Sequence, residues 1–313
     1  MSDPQAALAA FRQQLNEEYE RRYPRSSAHF QRSSGPLLDG CSHAVRWNDP
    51  FMPVIERAAG SRVTDLDGHE FIDYWQGHFS NLLGHNPEPI RSALAAALED
   101  GRGLQSGMLH EIEARVSELI CACTAAESVR VTTSGSLGTF YASLLCRAAT
   151  GRECVLKVTG GWHGSQPFGL KGVSPHGEAY DQVETEGLSR STPSEILLTR
   201  YNDLDDLERV FRENGDRIAC MLVEPVMGQG GGIPATPEYL RGIRRLTEHH
   251  GARMVCDEII TGFRYRAGDL TQLYGVEPDL LVLGKVLGGG MPVAAVFEDV
   301  DDDLTLFKFE KAA

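Results

Sequence analysis

The 313-residue sequence contains no Cys-x-x-Cys pair and none of the Cys/His spacings of a zinc site. Its seven cysteines (Cys41, Cys121, Cys123, Cys146, Cys154, Cys220, Cys256) are odd in number and scattered. That pattern argues against a disulfide framework or a bound metal, and for buried reduced thiols in a cytoplasmic protein. Positive charge is scarce: Lys+Arg total 30 against Asp+Glu 44, a net charge of −14. Nucleic acids and anionic bilayers are held by Lys and Arg, so neither is the expected partner. No apolar run approaches the roughly 20 residues that span a bilayer. The opening MSDPQAALAAFRQQLNEEYERR has the mixed charge of an amphipathic helix, not the pattern of an export signal. Internal repeats and low-complexity tracts are absent. No G-x-G-x-x-G or Walker-type loop follows a strand, which removes a nucleotide-binding reading.

What remains is an ordinary globular composition, 42% hydrophobic and 24% charged, enough for one large or two ordinary domains. Residues 3–22 read as a helix and 23–53 as a turn-rich arm with Pro24, Gly35, Pro36, Gly40, Pro50 and Pro53. The segments VIERAAG, SRVTD and EFIDYW, with the turn Asp67-Gly68 between the last two, predict a small β-meander. Helical periodicity follows at 88–99 and 109–122. From residue 128 strands (128–133, 153–158, 195–200, 217–225, 253–258, 279–285) alternate with helices (137–149, 204–214, and 237–250 with Thr236 as cap and Pro237 in its first turn). Val/Ile/Leu-rich strands separated by helices predict an α/β fold, a mostly parallel central sheet with helices on both faces. Residues 159–194 read as an extended surface excursion. The expected division is 1–84 (helix, arm and meander), 85–297 (large α/β domain) and 298–313 (acidic tail).

In such a sheet ligands bind beyond the carboxyl ends of the strands, so the residues there carry the functional argument. After SVRVTT comes Ser134-Gly135-Ser136, opening a helix. Its unpaired amides and hydroxyls make either an anion cradle or a plain cap. After ECVLKV comes Gly160-Gly161-Trp162-His163-Gly164, where the indole either stacks on a planar ligand or anchors the loop. RMVCDE ends in Asp257, a carboxylate at a strand tip whose partner is either a protonated ring nitrogen or a basic side chain such as Arg264. DLLVLGK ends in Lys285, ahead of Gly288-Gly289-Gly290. Burial there would lower the amine's pKa and make it a nucleophile toward a carbonyl.

Taken together, an anion cradle, an aromatic plate, a carboxylate and a nucleophilic lysine suit pyridoxal 5'-phosphate. With DEIITGFR (257–264), GKVLGGGMPVAA (284–295) and VEPVMGQGGG (223–232), the chain resembles the class III aminotransferases, in the branch of glutamate-1-semialdehyde aminomutase. VTDLDGHEFIDY (63–74), LLGHNPEPI (82–90), YND (201–203) and GWHG (161–164) support the match, which runs from about residue 35 to about 297.

The resemblance implies a fold-type I pyridoxal-phosphate transferase acting through a Lys285 Schiff base, with Asp257 on the pyridine nitrogen and Trp162 on the ring face. Ser134, Gly135 and Ser136 would hold the phosphate; His163, Asn202 and Glu224 would lie near the cofactor; His43, Arg46 and His78 would line the substrate pocket. The implied partners are a small-molecule amino donor and an oxo acceptor, within a homodimer. Four positions depart from the aminomutase pattern: His43 replaces a serine, Gly77-His78 a serine-tryptophan pair, and Leu137 a glutamate. The first three point to a transaminase with another amino acid or amine as substrate, and Leu137 bears on activity itself; aminomutase, decarboxylase and racemase chemistry use the same cofactor. After Phe297 the sequence EDVDDDLTLFKFEKAA has no family counterpart. The C-terminal subdomain is expected to be missing, leaving a truncated, weakly active remnant or one chain of a split enzyme that needs a complementary C-terminal chain.

Overall fold

The computed structural model describes residues 4–43, 46–101, 107–124, 126–173 and 187–298. The acidic tail beyond Glu298 and the centre of the 159–194 excursion lie outside the described residues. The chain divides into two units: residues 1–76 with 83–104, and residues 77–82 with 105–313.

The first unit starts with helices α1 (Pro4–Arg22) and α2 (Pro24–Ser33). It continues with an antiparallel meander of β1 (Ile55–Ala59), β2 (Arg62–Asp65) and β3 (Glu70–Ile72), and with α3 (Glu88–Glu99). The turn at Asp67-Gly68 forms as predicted, with Gly68 at φ 91°. Helix α2 replaces the irregular arm expected there. Tyr23 at its N-cap makes no side-chain capping bond. The carboxylate of Asp67 instead accepts from the Arg25 amide (2.7 Å), the Ser26 amide (3.0 Å) and the Ser26 hydroxyl (2.7 Å). The acceptor that starts this helix is thus supplied 41 positions further along the chain, where no local pattern reveals it.

The second unit is built on a seven-stranded sheet. Its strands are β4 (Ser128–Thr132), β5 (Cys154–Val158), β6 (Ile196–Thr199), β7 (Ile218–Val223), β10 (Arg253–Glu258), β11 (Leu280–Leu283) and β12 (Ala294–Glu298). A small ribbon, β8 (Val226–Met227) with β9 (Ile233–Pro234), follows β7. The order is β4-β12-β11-β10-β7-β5-β6. All strands are parallel except β12, which runs antiparallel to both neighbours. This is the mostly parallel sheet the sequence predicts, plus one strand it does not. AAVFE lies directly after the glycine-rich turn with no helix between, so the βα rhythm gives no sign of it.

Helices α4 (Glu111–Cys123), α5 (Gly135–Thr150), α6 (Leu204–Asn214) and α7 (Pro237–His250) cover the sheet. Alternate residues of each strand supply opposite faces. In β7, Met221 and Val223 join Phe211 of α6 and Ile243 of α7 in one apolar cluster. Cys220 and Leu222 join Ala142, Leu145 and Cys146 of α5 in the other. Leu281 and Leu283 split from Val282 in the same way in β11. Two buried lysines hold the excursion after β5 to the sheet: Lys157 Nζ donates to the Gly169 (3.2 Å) and Lys171 (2.9 Å) carbonyls, and Lys171 Nζ to those of Pro193 (2.9 Å) and Ile196 (2.8 Å). All seven cysteines are free; Cys146, Cys154, Cys220 and Cys256 are buried, and the other three half-buried. Among the described residues no helix is long and apolar enough to cross a membrane.

Candidate active site

Because β4, β5, β7, β10 and β11 run the same way, the loops leaving their carboxyl ends meet at one edge of the sheet. They enclose a cavity of about 400 Å³, lined by Thr133, Ser134, Gly135, Ser136, Trp162, His163, Gly164, Glu224, Asp257, Ile259, Ile260 and Lys285, with His78, Ser80 and Gly290–Val293 completing the wall. A larger dent of about 540 Å³ on α1 and α2 is lined by surface side chains such as Glu17, Glu20 and Arg21 and holds no buried reactive group.

Ser134 caps α5, its hydroxyl accepting from the Leu137 amide at 3.2 Å. The cap reading therefore holds, and it leaves the first-turn amides beside it at a positive helix end, where an anion is favoured. Gly135 lets Ile259 pack close: a methyl group there would overlap Ile259 Cδ1 and force that side chain to shift. Gly164 (φ 105°) lies so close to α5 that a Cβ would fall 2.5 Å from the Ser136 hydroxyl.

Asp257, in β10, is 3% exposed and His163 fully buried. His163 Nδ1 lies 2.8 Å from Asp257 Oδ2, while Asp257 Oδ1 accepts from the Ile259 amide at 3.1 Å. Burial lowers the His163 pKa against the upward pull of Asp257, which favours the neutral imidazole, the tautomer with Nδ1–H being the one that can donate to the carboxylate. Its Nε2 is buried with no hydrogen-bond partner among the described residues. The His163 carbonyl accepts from Thr139 Oγ1 at 2.7 Å, which fixes this loop to α5. Arg264, the alternative partner for Asp257, is instead bonded to the carbonyls of Ile260 and Phe79.

Glu224 follows β7 and accepts from the Trp162 amide (3.1 Å) and the Gly228 amide (2.9 Å). Burial, and next the charge of Asp257, raise its pKa to about 8 despite those donors. Lys285 stands two residues beyond β11 in a left-handed conformation, φ 44°, strain of the kind stored at functional sites. Burial lowers its pKa, with Asp257 and Glu224 pulling it up and Arg264 pushing it down. The cavity thus holds an amine biased toward its nucleophilic form, two carboxyl groups, a neutral imidazole and a helix N-terminus. An anionic, planar, carbonyl-bearing cofactor would find an anion end, an aromatic neighbour, an acid and an amine within one enclosure.

Of the residues singled out in the sequence, Ser134, Gly135, Ser136, Trp162, His163, Glu224, Asp257, Lys285 and His78 share the cavity. Asn202 does not line it. At φ 59°, its amide is spent on the Pro234 carbonyl (3.0 Å) and the Thr236 amide (2.9 Å), tying a turn to the start of α7. His43 and Arg46 belong to the first unit, where the Arg46 guanidinium donates to the Ser42 hydroxyl (3.0 Å). Thr133, Ile259 and Ile260 directly follow strands, so the strand-end rule reaches them. Ser80 carries no such signal.

Residues 43–303 match the class III aminotransferase family. A glutamate-1-semialdehyde 2,1-aminomutase of Myxococcus xanthus is 39% identical over 283 residues, covering 86% of this chain and 63% of that protein. Two solved structures superpose closely. One is an omega-transaminase from Sphaerobacter thermophilus, with TM-score 0.83, 29% identity, and coverage of 88% of this chain and 64% of that one. The other is a transaminase with PLP bound, with TM-score 0.85, 28% identity, and coverage of 92% and 69%. The chain spans 56% to 64% of the length of the curated relatives it matches. With a fold-type I architecture and a family match across most of its length, the chain belongs to the class III aminotransferases.

Proposed function

We propose that this chain is a pyridoxal-phosphate-dependent transaminase, moving an amino group between an amino acid or amine and an oxo acceptor. The observation that carries the reading is the meeting of Lys285, Asp257 and the α5 N-terminus around one cavity. The donor set fits the cofactor. The α5 end with Ser134, Gly135 and Ser136 would take the phosphate. The glycine at 135 keeps Ile259 close beneath that end. Asp257 would pair with the ring nitrogen and Trp162 with the ring face. When bound, the cofactor supplies an aldehyde that captures amines and a ring that accepts an electron pair from the substrate carbon.

The protein's own part is electrostatic and steric. Lys285, its pKa lowered by burial, would serve as both nucleophile and proton carrier at Nζ. Asp257 would hold a proton on the ring nitrogen, and His163 fixes the carboxylate by its Nδ1–H bond. Glu224 secures the Trp162 loop through the Trp162 amide. Within this proposal His78, His43 and Arg46 select the substrate, Asn202 supports the cofactor region through its turn, and the protein works as a cytoplasmic homodimer. Exposed apolar side chains such as Met108, Leu109 and Ile112 offer surface for assembly, with a second copy or with a complementary C-terminal chain.

Incubation with pyridoxal phosphate, borohydride reduction and peptide mass mapping test the reading. The cofactor mass is expected on Lys285, together with a visible band that Lys285→Ala abolishes. A band that survives that substitution refutes it. A second reading, glutamate-1-semialdehyde aminomutase activity, is favoured by the similarity to relatives of that name. Turnover of that semialdehyde, with none of a panel of amino donors and oxo acids, would select it.

A further inference from the structure

The motif 257–264 does more than present Asp257. Its last residue, Arg264, is half-buried, and its guanidinium joins two chain segments. Nε donates to the Ile260 carbonyl at 2.8 Å and Nη2 to the Phe79 carbonyl. The Phe79 carbonyl belongs to an unusual turn. Gly77 (φ 61°, ψ 42°) and His78 (φ 62°, ψ 44°) are left-handed, and Phe79 follows at φ 68°. Glycine takes this conformation freely, but His78 and Phe79 are strained by their Cβ atoms, so the turn persists only if its surroundings hold it. Contacts among the described residues do so. Arg264 grips the Phe79 carbonyl, the Ser80 hydroxyl donates to the Gly77 carbonyl, and the Asn81 side chain fills the space above two glycines. A Cβ at Gly77 would lie 2.5 Å from Asn81 Nδ2, and one at Gly290 would lie 3.0 Å from Asn81 Oδ1. The product of this arrangement is that His78 and Ser80 form part of the wall of the cavity that the strand-end residues also line.

We propose that Arg264 is a positioning residue for substrate selection: by holding the strained Gly77–Phe79 turn, it sets His78 in the wall that an incoming amine must pass. The inference rests on the transaminase reading of the cavity. Asp257 addresses the cofactor, while Arg264, seven residues on, addresses the wall facing the substrate. One strand-turn segment therefore carries both Asp257 in the cavity lining and the guanidinium that holds the turn of His78.

Two measurements test it. Hydrogen exchange of residues 77–82 in the full chain, needing neither cofactor nor substrate, should quicken at least ~10-fold in Arg264→Met while residues 253–258 keep their protection. Arg264→Lys, which can keep only part of the bonding, should fall between. Unchanged exchange at 77–82 overturns the proposal, as does equal acceleration in β10, which would mark a general loss of stability. In the cofactor-loaded protein, trapping by phenylhydrazine relative to hydroxylamine reports how the wall treats a bulky against a small amine. That ratio should shift by the same factor, ~3-fold or more, in His78→Ala and Arg264→Met, with no further change in the double variant. A shift in His78→Ala alone overturns the role of Arg264, and no shift in either removes the wall. Failure of the parent protein to take up cofactor would count against the transaminase reading instead, and the exchange arm would still decide on Arg264.

Discussion

Replacing Glu258 by glutamine should alter the pH dependence of stability more than stability itself. Glu258 ends β10 fully buried, next to Asp257. Its Oε2 accepts from the Leu270 amide (2.7 Å) and the Thr261 hydroxyl (2.9 Å), and its Oε1 from the Thr271 amide (2.9 Å). It thereby fastens the loop after β10 to the strand that carries the cavity's acid. Burial outweighs those donors and raises its pKa from 4.5 to about 7. Between those values the unfolded chain releases a proton that the folded chain keeps. The group's contribution is therefore complete below the unfolded pKa and is lost as pH rises through the folded one. The gap of about 2.5 units corresponds to ~3 kcal/mol at about 1.36 kcal/mol per unit. Glutamine does not titrate and lacks this slope. Its NH₂ would face a backbone donor, costing about 1–3 kcal/mol at every pH. Glu258→Gln should therefore be the less stable protein at pH 5, and most of the ~3 kcal/mol slope should be recovered relative to the parent by pH 8. Urea unfolding of both proteins at pH 5, 6, 7 and 8 measures this. A difference that stays constant across the series refutes the raised pKa, and a deficit that grows with pH refutes its sign.

Other outcomes follow from the same geometry. Cofactor capture by the apoprotein should rise with pH and level off below the ordinary lysine range near pH 10.4, because burial lowers the Lys285 pKa; rates that are still climbing there contradict a depressed amine. Gly135→Val should weaken cofactor binding by ~10-fold or more, since its side chain meets Ile259; Ile259→Ala in the same chain should restore part of it, measured by cofactor titration. Asp257→Ala strips the buried His163 of its 2.8 Å partner and should lower stability by about 1–3 kcal/mol, read by denaturant unfolding without cofactor; an unchanged midpoint would show that this bond contributes nothing.

Much of the second unit was legible because its physics is local. Short apolar runs mark β5, β7, β10 and β11, and side-chain caps such as Thr236, accepting from the Tyr239 amide at 3.1 Å, mark helix starts. What escaped was set by distant partners. Helix α2 takes its N-terminal acceptor from Asp67. Strand β12 is defined by the neighbours it pairs with, β4 and β11. Asn202 matches a family motif near the cofactor, yet its left-handed backbone shows a turn-making job that spacing alone does not reveal.

The lysines show where sequence reasoning about a site stops. Lys157 and Lys285 both sit at apolar strands followed by glycine-rich turns, so an argument from burial alone makes either one a nucleophile. The structure separates them by what the ammonium touches. Lys157 Nζ is bonded to the Gly169 and Lys171 carbonyls and buried from solvent, so its access is closed. Lys285 opens onto a cavity it shares with Asp257 and Glu224, and burial lowers its pKa. A carbonyl-lined amine serves as a staple, whereas one facing acids across an open cavity is placed as the proposed transaminase reading requires of a reagent, a distinction carried by the fold and by no feature of the residue itself.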